Sequence, residues 1–413
     1  MRRYGYLVLL AALYAGPIQA TPPPADEKPA AATPIRSQAE LETWLRQQQR
    51  AGQPTPFDRM TPGGRERFLS GGLGFGSKGL ASLNPTVLSE ELDPVDIRAV
   101  LALFFADPDA YLRLVPQADP RTRAIATQRR NGISDIEHRY NHFYLRDTRS
   151  QESGRMSDLE LAAATEQAYE AEFAGADDDA KLRAYNDSDL QLLLRAAREA
   201  TQYSDSGSLA DRALAFFDEY ERRGLAADED VARIFDVLLA ARRFDAAREF
   251  AARHPNADLP ELPAIKDEAA SGTPTLWEFS EDGKQLTRRA LDLKPTQILV
   301  TAGCHFSADA AEDISADPML GPVFRHHAHW LSLAPGRESL GALVDWNRKH
   351  PQARMTPIHD REEWLIIRNW DMPVFHIVRD GKIVESVTGW PRNPQENREP
   401  LIAALKRAGL LSE

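Results

Sequence analysis

The chain has 413 residues, 42% of them apolar, and a formal net charge of −12. Such a length predicts two or three domains. An acidic chain with no basic stripe argues against nucleic acid as a partner, and no internal run reaches the ~18 apolar residues of a membrane span. The one cysteine, Cys304, excludes a disulfide within the chain and points to a reactive thiol, an intermolecular bridge or a buried small side chain.

Residues 1–20 combine a basic start (Arg2, Arg3), a short apolar run (Tyr6 to Ala15) and a small residue at Ala20. This is the pattern of a cleaved secretory signal, which predicts a periplasmic or secreted protein with no membrane span left after cleavage. Residues 21–34 are rich in Pro and Ala and predict a disordered linker. Residues 35–150 are expected to be a helical N-terminal region. Leu41, Trp44 and Leu45 recur at helical spacing, and Asp93-Pro94 predicts a second helix over Val95–Phe105, with Asp as cap and Pro in the first turn. Gly74 to Gly79 matches G-x-G-x-x-G but lacks the preceding strand and following helix of a dinucleotide site, so a flexible glycine loop is expected. His138 and His142 stand at i, i+4, with Arg139 where a zinc protease needs its glutamate.

Residues 155–260 read as an α-hairpin domain. Helices are expected near Asp189–Tyr203, Leu209–Arg223, Glu229–Ala241 and Phe244–His254, with short polar turns between them. The stretch LLAARRFDAAREFAARHPN resembles one tetratricopeptide helical pair, without the full consensus. A domain of this kind is expected to bind a protein.

Pro260, Pro263 and Ser271-Gly272-Thr273-Pro274 mark a boundary, after which strands alternate with helices over 273–413. Strands are expected at Leu276–Ser280 and Leu286–Asp292 across a turn, and at Gln297–Ala302 as a buried run ending at Gly303-Cys304. A helix is then expected from about Ala308, a strand at Trp330–Ala334, a helix at Glu338–Lys349, a strand at Arg354–His359 and a helical stretch at Arg361–Asn369. Val374–Arg379 and Lys382–Thr388 form a hairpin over Asp380-Gly381, and Pro400–Ala408 closes as a helix. The fold class is therefore α + α/β: a helical N-terminal region followed by a C-terminal α/β sandwich.

This order resembles the thioredoxin-like superfamily, and its TlpA-like periplasmic branch in particular. GRESLGALVDWNRKHPQARMTPIHD matches that branch's inserted helix–strand unit, and MPVFHIVRDGKIVESVTGW matches the cis-proline strand and closing hairpin. The resemblance covers about a third of the chain. It implies that Cys304 is the reactive thiol at a helix N-terminus, where unpaired N–H groups and the helix dipole favour a thiolate, and that Pro373 is the cis-proline. The family's C-x-x-C is Cys304-His305-Phe306-Ser307 here, so Ser307 stands in the resolving position and His305 is an adjacent candidate for assisting the thiol. The position of thioredoxin's buried Asp is Ile298. The C-x-F-S form is similar to that of monothiol glutaredoxins and of client-retention proteins of the secretory pathway.

The resemblance implies monothiol thiol–disulfide exchange with protein thiols or disulfides, or a small thiol, and no cofactor. The alternative is a non-catalytic binding or assembly module. Two further patterns carry less. His326-His327-Ala328-His329 lacks a neighbouring acidic or Cys ligand, so no metal is expected there. Thr301-Ala302-Gly303-Cys304 matches the T-x-x-C of peroxiredoxins but lacks their proline, that position being Gln297.

Overall fold

A computed structural model describes residues 34–77, 79–152, 156–269, 274–333, 339–391, 393 and 395–412. The signal and almost all of the linker expected from the sequence lie outside these residues. The chain is of α + α/β class, with a helical N-terminal region and mixed sheets toward the C-terminus. It divides into two compact units, one comprising residues up to 152 with 184–193, the other 153–183 with 194–413. No helix among the described residues is long and apolar enough to cross a membrane.

In the first unit, α1 (Gln38–Ala51), α2 (Pro62–Gly71), α3 (Pro85–Glu91), α4 (Pro94–Leu101), α5 (Pro108–Leu112), α6 (Pro120–Thr127) and α7 (Asp135–Glu152) surround a core that includes Leu41, Phe57, Phe68, Leu88, Ile97 and Val100. The helix at Asp93-Pro94 starts as its sequence dictates: Asp93 Oδ1 accepts from the N–H groups of Val95 and Asp96 at 2.9 Å each. Gly74, Gly76 and Gly79 lie on the strands of an antiparallel hairpin, β1 (Leu73–Gly76) with β2 (Gly79–Leu83), and not at a strand-to-helix phosphate turn.

The second unit opens with α8 (Asp158–Phe173) and α9 (Asp179–Ala184). α10 (Asp187–Ser204), whose residues 187–193 belong to the first unit, α11 (Gly207–Arg222), α12 (Asp228–Ala240) and α13 (Phe244–Arg253) then follow. Their buried stripes carry small residues beside large ones: Ala197, Ala200 and Ala213 beside Phe216, Phe217, Phe235 and Phe250. The rings of Phe217 and Phe250 sit 5.4 Å apart.

Beyond these helices, β3 (Ala264–Asp267), β4 (Thr275–Phe279) and β5 (Gln285–Ala290) form a three-stranded sheet in the order β3-β5-β4. β6 (Gln297–Thr301) leads into α14 (His305–Ala316), α15 (Leu320–His327), β7 (Ala328–Ser332), α16 (Leu340–Lys349), β8 (Met355–Pro357), β9 (Val374–Arg379), β10 (Lys382–Thr388) and α17 (Gln395–Arg407). The five-stranded sheet runs β10-β9-β6-β7-β8, with β6 parallel to β7 and antiparallel to β9.

β6 is the central strand, and every one of its residues is buried. Alternation sends its side chains to two cores. Ile298 and Val300 join Ala310, Ile314, Phe324, Trp330, Phe375 and Leu405 on one face. Leu299 joins Leu276, Ile358, Trp364, Trp370 and Val378 on the other.

Several helices differ from expectation: the one expected over Val95–Phe105 spans Pro94–Leu101, and the one expected over Pro400–Ala408 spans Gln395–Arg407. The segment after Cys304 is helical from His305 and breaks at Asp317-Pro318, because proline cannot donate into the ladder and Asp317 Oδ1 accepts from Met319 N and Leu320 N, at 2.7 and 3.0 Å, starting a second helix. Only Arg361–Trp364 of the expected Arg361–Asn369 helix forms, as a single 3-10 turn.

Candidate functional site

Cys304 is the N-cap of α14, with extended backbone (φ −102°, ψ 171°) and a half-buried side chain. Strand β6 ends three residues earlier, so the thiol sits where a buried strand hands over to a helix. The Cys304 carbonyl accepts from Ser307 N at 3.0 Å and Ala308 N at 3.2 Å, closing the first turn. That turn brings Ser307 under the thiol: its Oγ is 3.4 Å from Cys304 Sγ and 3.4 Å from Gly303 N, and Ser307 is fully buried.

The second neighbour of the thiol comes from far along the chain. Cys304 Sγ lies 3.4 Å from the carbonyl oxygen of Met372, and the Met372–Pro373 peptide is cis. The sulfur therefore touches one hydroxyl, which can donate or accept, and one carbonyl, which can only accept. His305 is exposed, and its ring rests on the half-exposed Phe306 with centroids 3.9 Å apart. No hydrogen bond joins it to Sγ among the described residues. The structure thus brings Cys304, Ser307 and the residue before Pro373 together, and leaves His305 beside the group with no hydrogen bond to sulfur among the described residues.

Thr301 acquires a role that its sequence match did not suggest. It is fully buried, and its hydroxyl donates to the Asp371 carbonyl and accepts from Val374 N at 3.2 Å. The hydroxyl thus bonds the backbone on both sides of Met372-Pro373. Asp158, at the start of α8, reaches the same segment: its Oδ2 accepts from Trp370 N at 2.9 Å, and its N–H donates to Arg368 O at 3.2 Å. Sequence reasoning missed both residues.

The histidine patterns assemble no ligand set. His326 and His327 end α15, with His326 Nδ1 2.8 Å from Pro322 O, while His329 lies on β7. Burial holds His329 below the usual imidazole range. Among the described residues no three His, Cys, Asp or Glu side chains converge as a metal site. A cleft of about 560 Å³ lies elsewhere in this unit, lined by residues including Leu159, Ala163, Arg242, Asp360 and Leu365; Cys304 is not part of it.

No family model matches this chain, and no curated protein or solved structure matches it significantly.

Proposed function

We propose that this chain is an exported thioredoxin-like protein that performs thiol–disulfide exchange through Cys304. One observation carries the reading: the only thiol in the chain caps a helix at the end of a central buried strand, half-exposed, with Ser307 Oγ and Met372 O each 3.4 Å from sulfur. The order of strands and helices around β6 and the cis bond at Pro373 support the same fold assignment.

The chemistry is a single exchange. The Cys304 sulfur attacks one sulfur of a disulfide R–S–S–R′. A Cys304–S–S–R bond forms as the S–S bond breaks, and R′–S⁻ leaves and takes up the proton released from the thiol. Ser307 can hydrogen-bond the sulfur but cannot attack the mixed disulfide, so the adduct waits for an external thiol. Partners are protein thiols or disulfides, or a small thiol, with the helical segments before β3 binding the protein partner. The compartment is the periplasm or the exterior, which is oxidising enough to sustain such exchange.

The test is direct. The folded protein is mixed with a small disulfide and the adduct is counted by intact mass. One persistent adduct per chain, absent in Cys304→Ser, is expected. If Cys304 reacts only in denaturant, it is a packed structural residue and the fold serves as a binding module.

A further inference from the structure

The thiol's second partner, the Met372 carbonyl, is held by groups that the exchange reaction itself does not use. Residues 370–373 pass the sulfur as a short connecting stretch that enters β9 at Val374. The Pro373 carbonyl accepts from Gly389 N at 2.7 Å, and the placement of the rest depends on side chains that satisfy its backbone groups. Three of those bonds are on hand. Asp158 Oδ2 accepts from Trp370 N at 2.9 Å, Thr301 Oγ1 donates to Asp371 O, and the same oxygen accepts from Val374 N at 3.2 Å. They lie on both sides of Met372, within two residues. Asp158 is tied in return, since its own N–H donates to Arg368 O at 3.2 Å.

We infer that Thr301 and Asp158 are positioning residues for the Cys304 site: together they fix the 370–374 segment, and so the Met372 carbonyl, at bonding distance from the sulfur. This rests on the thiol-exchange reading above. It also assigns the first turn of α8 to the thiol site. A segment 146 residues before Cys304 in the sequence would then set how the sulfur is presented, and anything that shifts α8 would alter the reactivity of the thiol.

The bonds have the right chemistry for the task. Thr301 is fully buried on the central strand, three residues before the thiol, so its oxygen is fixed relative to Cys304 by β6 itself. The hydroxyl gives its only hydrogen to the Asp371 carbonyl and one lone pair to the Val374 N–H, and removing it takes both bonds away together. Asp158 accepts as a carboxylate, which makes its bond to Trp370 N charge-assisted and short-ranged.

The experiment uses the full chain and two reagents. One is an uncharged aromatic disulfide, whose two-sulfur transition state needs an oriented thiol. The other is iodoacetamide, which makes smaller demands on geometry. Thr301→Val removes both hydroxyl bonds at nearly constant shape, and Asp158→Ala removes the clamp from α8. Each is expected to slow the disulfide reaction by about fivefold to tenfold, with a smaller change toward iodoacetamide. Thr301→Ser and Asp158→Asn keep an oxygen acceptor at the same place and should restore most of the rate.

Rescue by these conservative variants is the readout that a merely structural role would not give. If Thr301→Val fails to fold, the Asp158 pair carries the test alone. Wild-type rates in Thr301→Val and Asp158→Ala, or rates toward both reagents that rise together as the melting temperature falls, would overturn the inference while leaving the thiol reading intact. A wild-type thiol silent to both reagents until unfolding would sink that reading, and this inference with it.

Discussion

Replacing Arg67 by Met probes an ionic cluster sealed inside the first unit. Arg67 donates to Glu91 Oε1 at 3.1 Å, Glu137 Oε1 at 3.0 Å and Asn141 Oδ1 at 2.6 Å. Arg129 stands behind it, 3.6 Å from Glu91 and 3.4 Å from Glu137. All four charged side chains are 3% exposed or less. The fold makes room for the carboxylates with Gly63-Gly64: a Cβ on Gly64 would lie 2.2 Å from Glu91 Cδ, and one on Gly63 would lie 2.3 Å from Glu137 Oε1.

Two arginines balance two glutamates, so the cluster is neutral, and Arg67→Met leaves one negative charge buried without a partner. Each lost contact is worth about 5 kcal/mol at an effective dielectric constant of ~20. Release of the buried guanidinium's own desolvation cost offsets much of that. The net loss should be about 3–5 kcal/mol, as for other broken buried pairs. Arg67→Met with Glu137→Gln restores neutrality and should recover at least half. Hydrogen exchange read by mass spectrometry over 56–145 reports this unit alone. A single-variant loss below about 1 kcal/mol, or a double variant no better than the single, would refute the charge-balance argument.

Three further outcomes are expected. Burial pushes the Asp236 carboxyl on α12 up to about 7. The folded state then holds a proton that the unfolded chain releases, so stability rises as pH falls from about 8 toward 4. Asp236→Asn should remove that contribution and gain roughly 1–2 kcal/mol at pH 8, seen as an unfolding midpoint in urea that moves less between pH 8 and 6.5 than in the parent chain. His376 on β9 has the opposite sign. Burial lowers its imidazole to about 4, Nδ1 pairs with Ser386 Oγ at 2.8 Å, and Nε2 is buried without a partner among the described residues. The unfolded chain therefore takes up a proton first, and stability is lost as pH falls from about 6.5 to 4. His376→Leu should flatten that loss in the exchange protection of the five-stranded sheet; an unchanged acid limb would show that other groups cause it. Ser307→Cys puts a second sulfur where the hydroxyl now sits, 3.4 Å from Sγ. The mixed disulfide at Cys304 should then decay at least about tenfold faster, and an adduct as durable as in the parent chain would mean that residue 307 cannot reach it.

The elements legible in the sequence are those whose causes are local. Asp93-Pro94 starts a helix because cap and first-turn proline are adjacent. Asp380-Gly381 turns the β9–β10 hairpin because both residues take positive φ, 50° and 72°, as a two-residue loop demands. The break at Asp317-Pro318 uses the same dipeptide as the start of α4 and was equally readable. β3 was not. Its four residues, Ala264–Asp267, are at most half-buried and carry no alternation, and they become a strand only because β5 offers a parallel edge about twenty residues on. The β1–β2 hairpin hid in its glycines, which read as a loop until Leu73 to Gly76 finds Gly79 to Leu83.

The site divides along the same line. Cys304 and Ser307 follow from one strand end and one helical turn. The bonds that fix the Met372 carbonyl span 70 residues from Thr301 to Asp371 and 212 from Asp158 to Trp370, and no local pattern encodes them. One signal was nonetheless present. The run Gln297–Thr301 is apolar except at its two ends, and a strand buried along its whole length must satisfy each polar side chain it carries. Gln297 does so by donating to Asp292 O at 2.8 Å, back toward the loop it came from. Thr301 has no such neighbour behind it, so its hydroxyl had to find a segment from elsewhere in the fold, beside the thiol three residues ahead. A lone hydroxyl at the leading end of a buried central strand is thus a pointer to the loop that crosses that end, and here that loop carries the carbonyl which meets the sulfur.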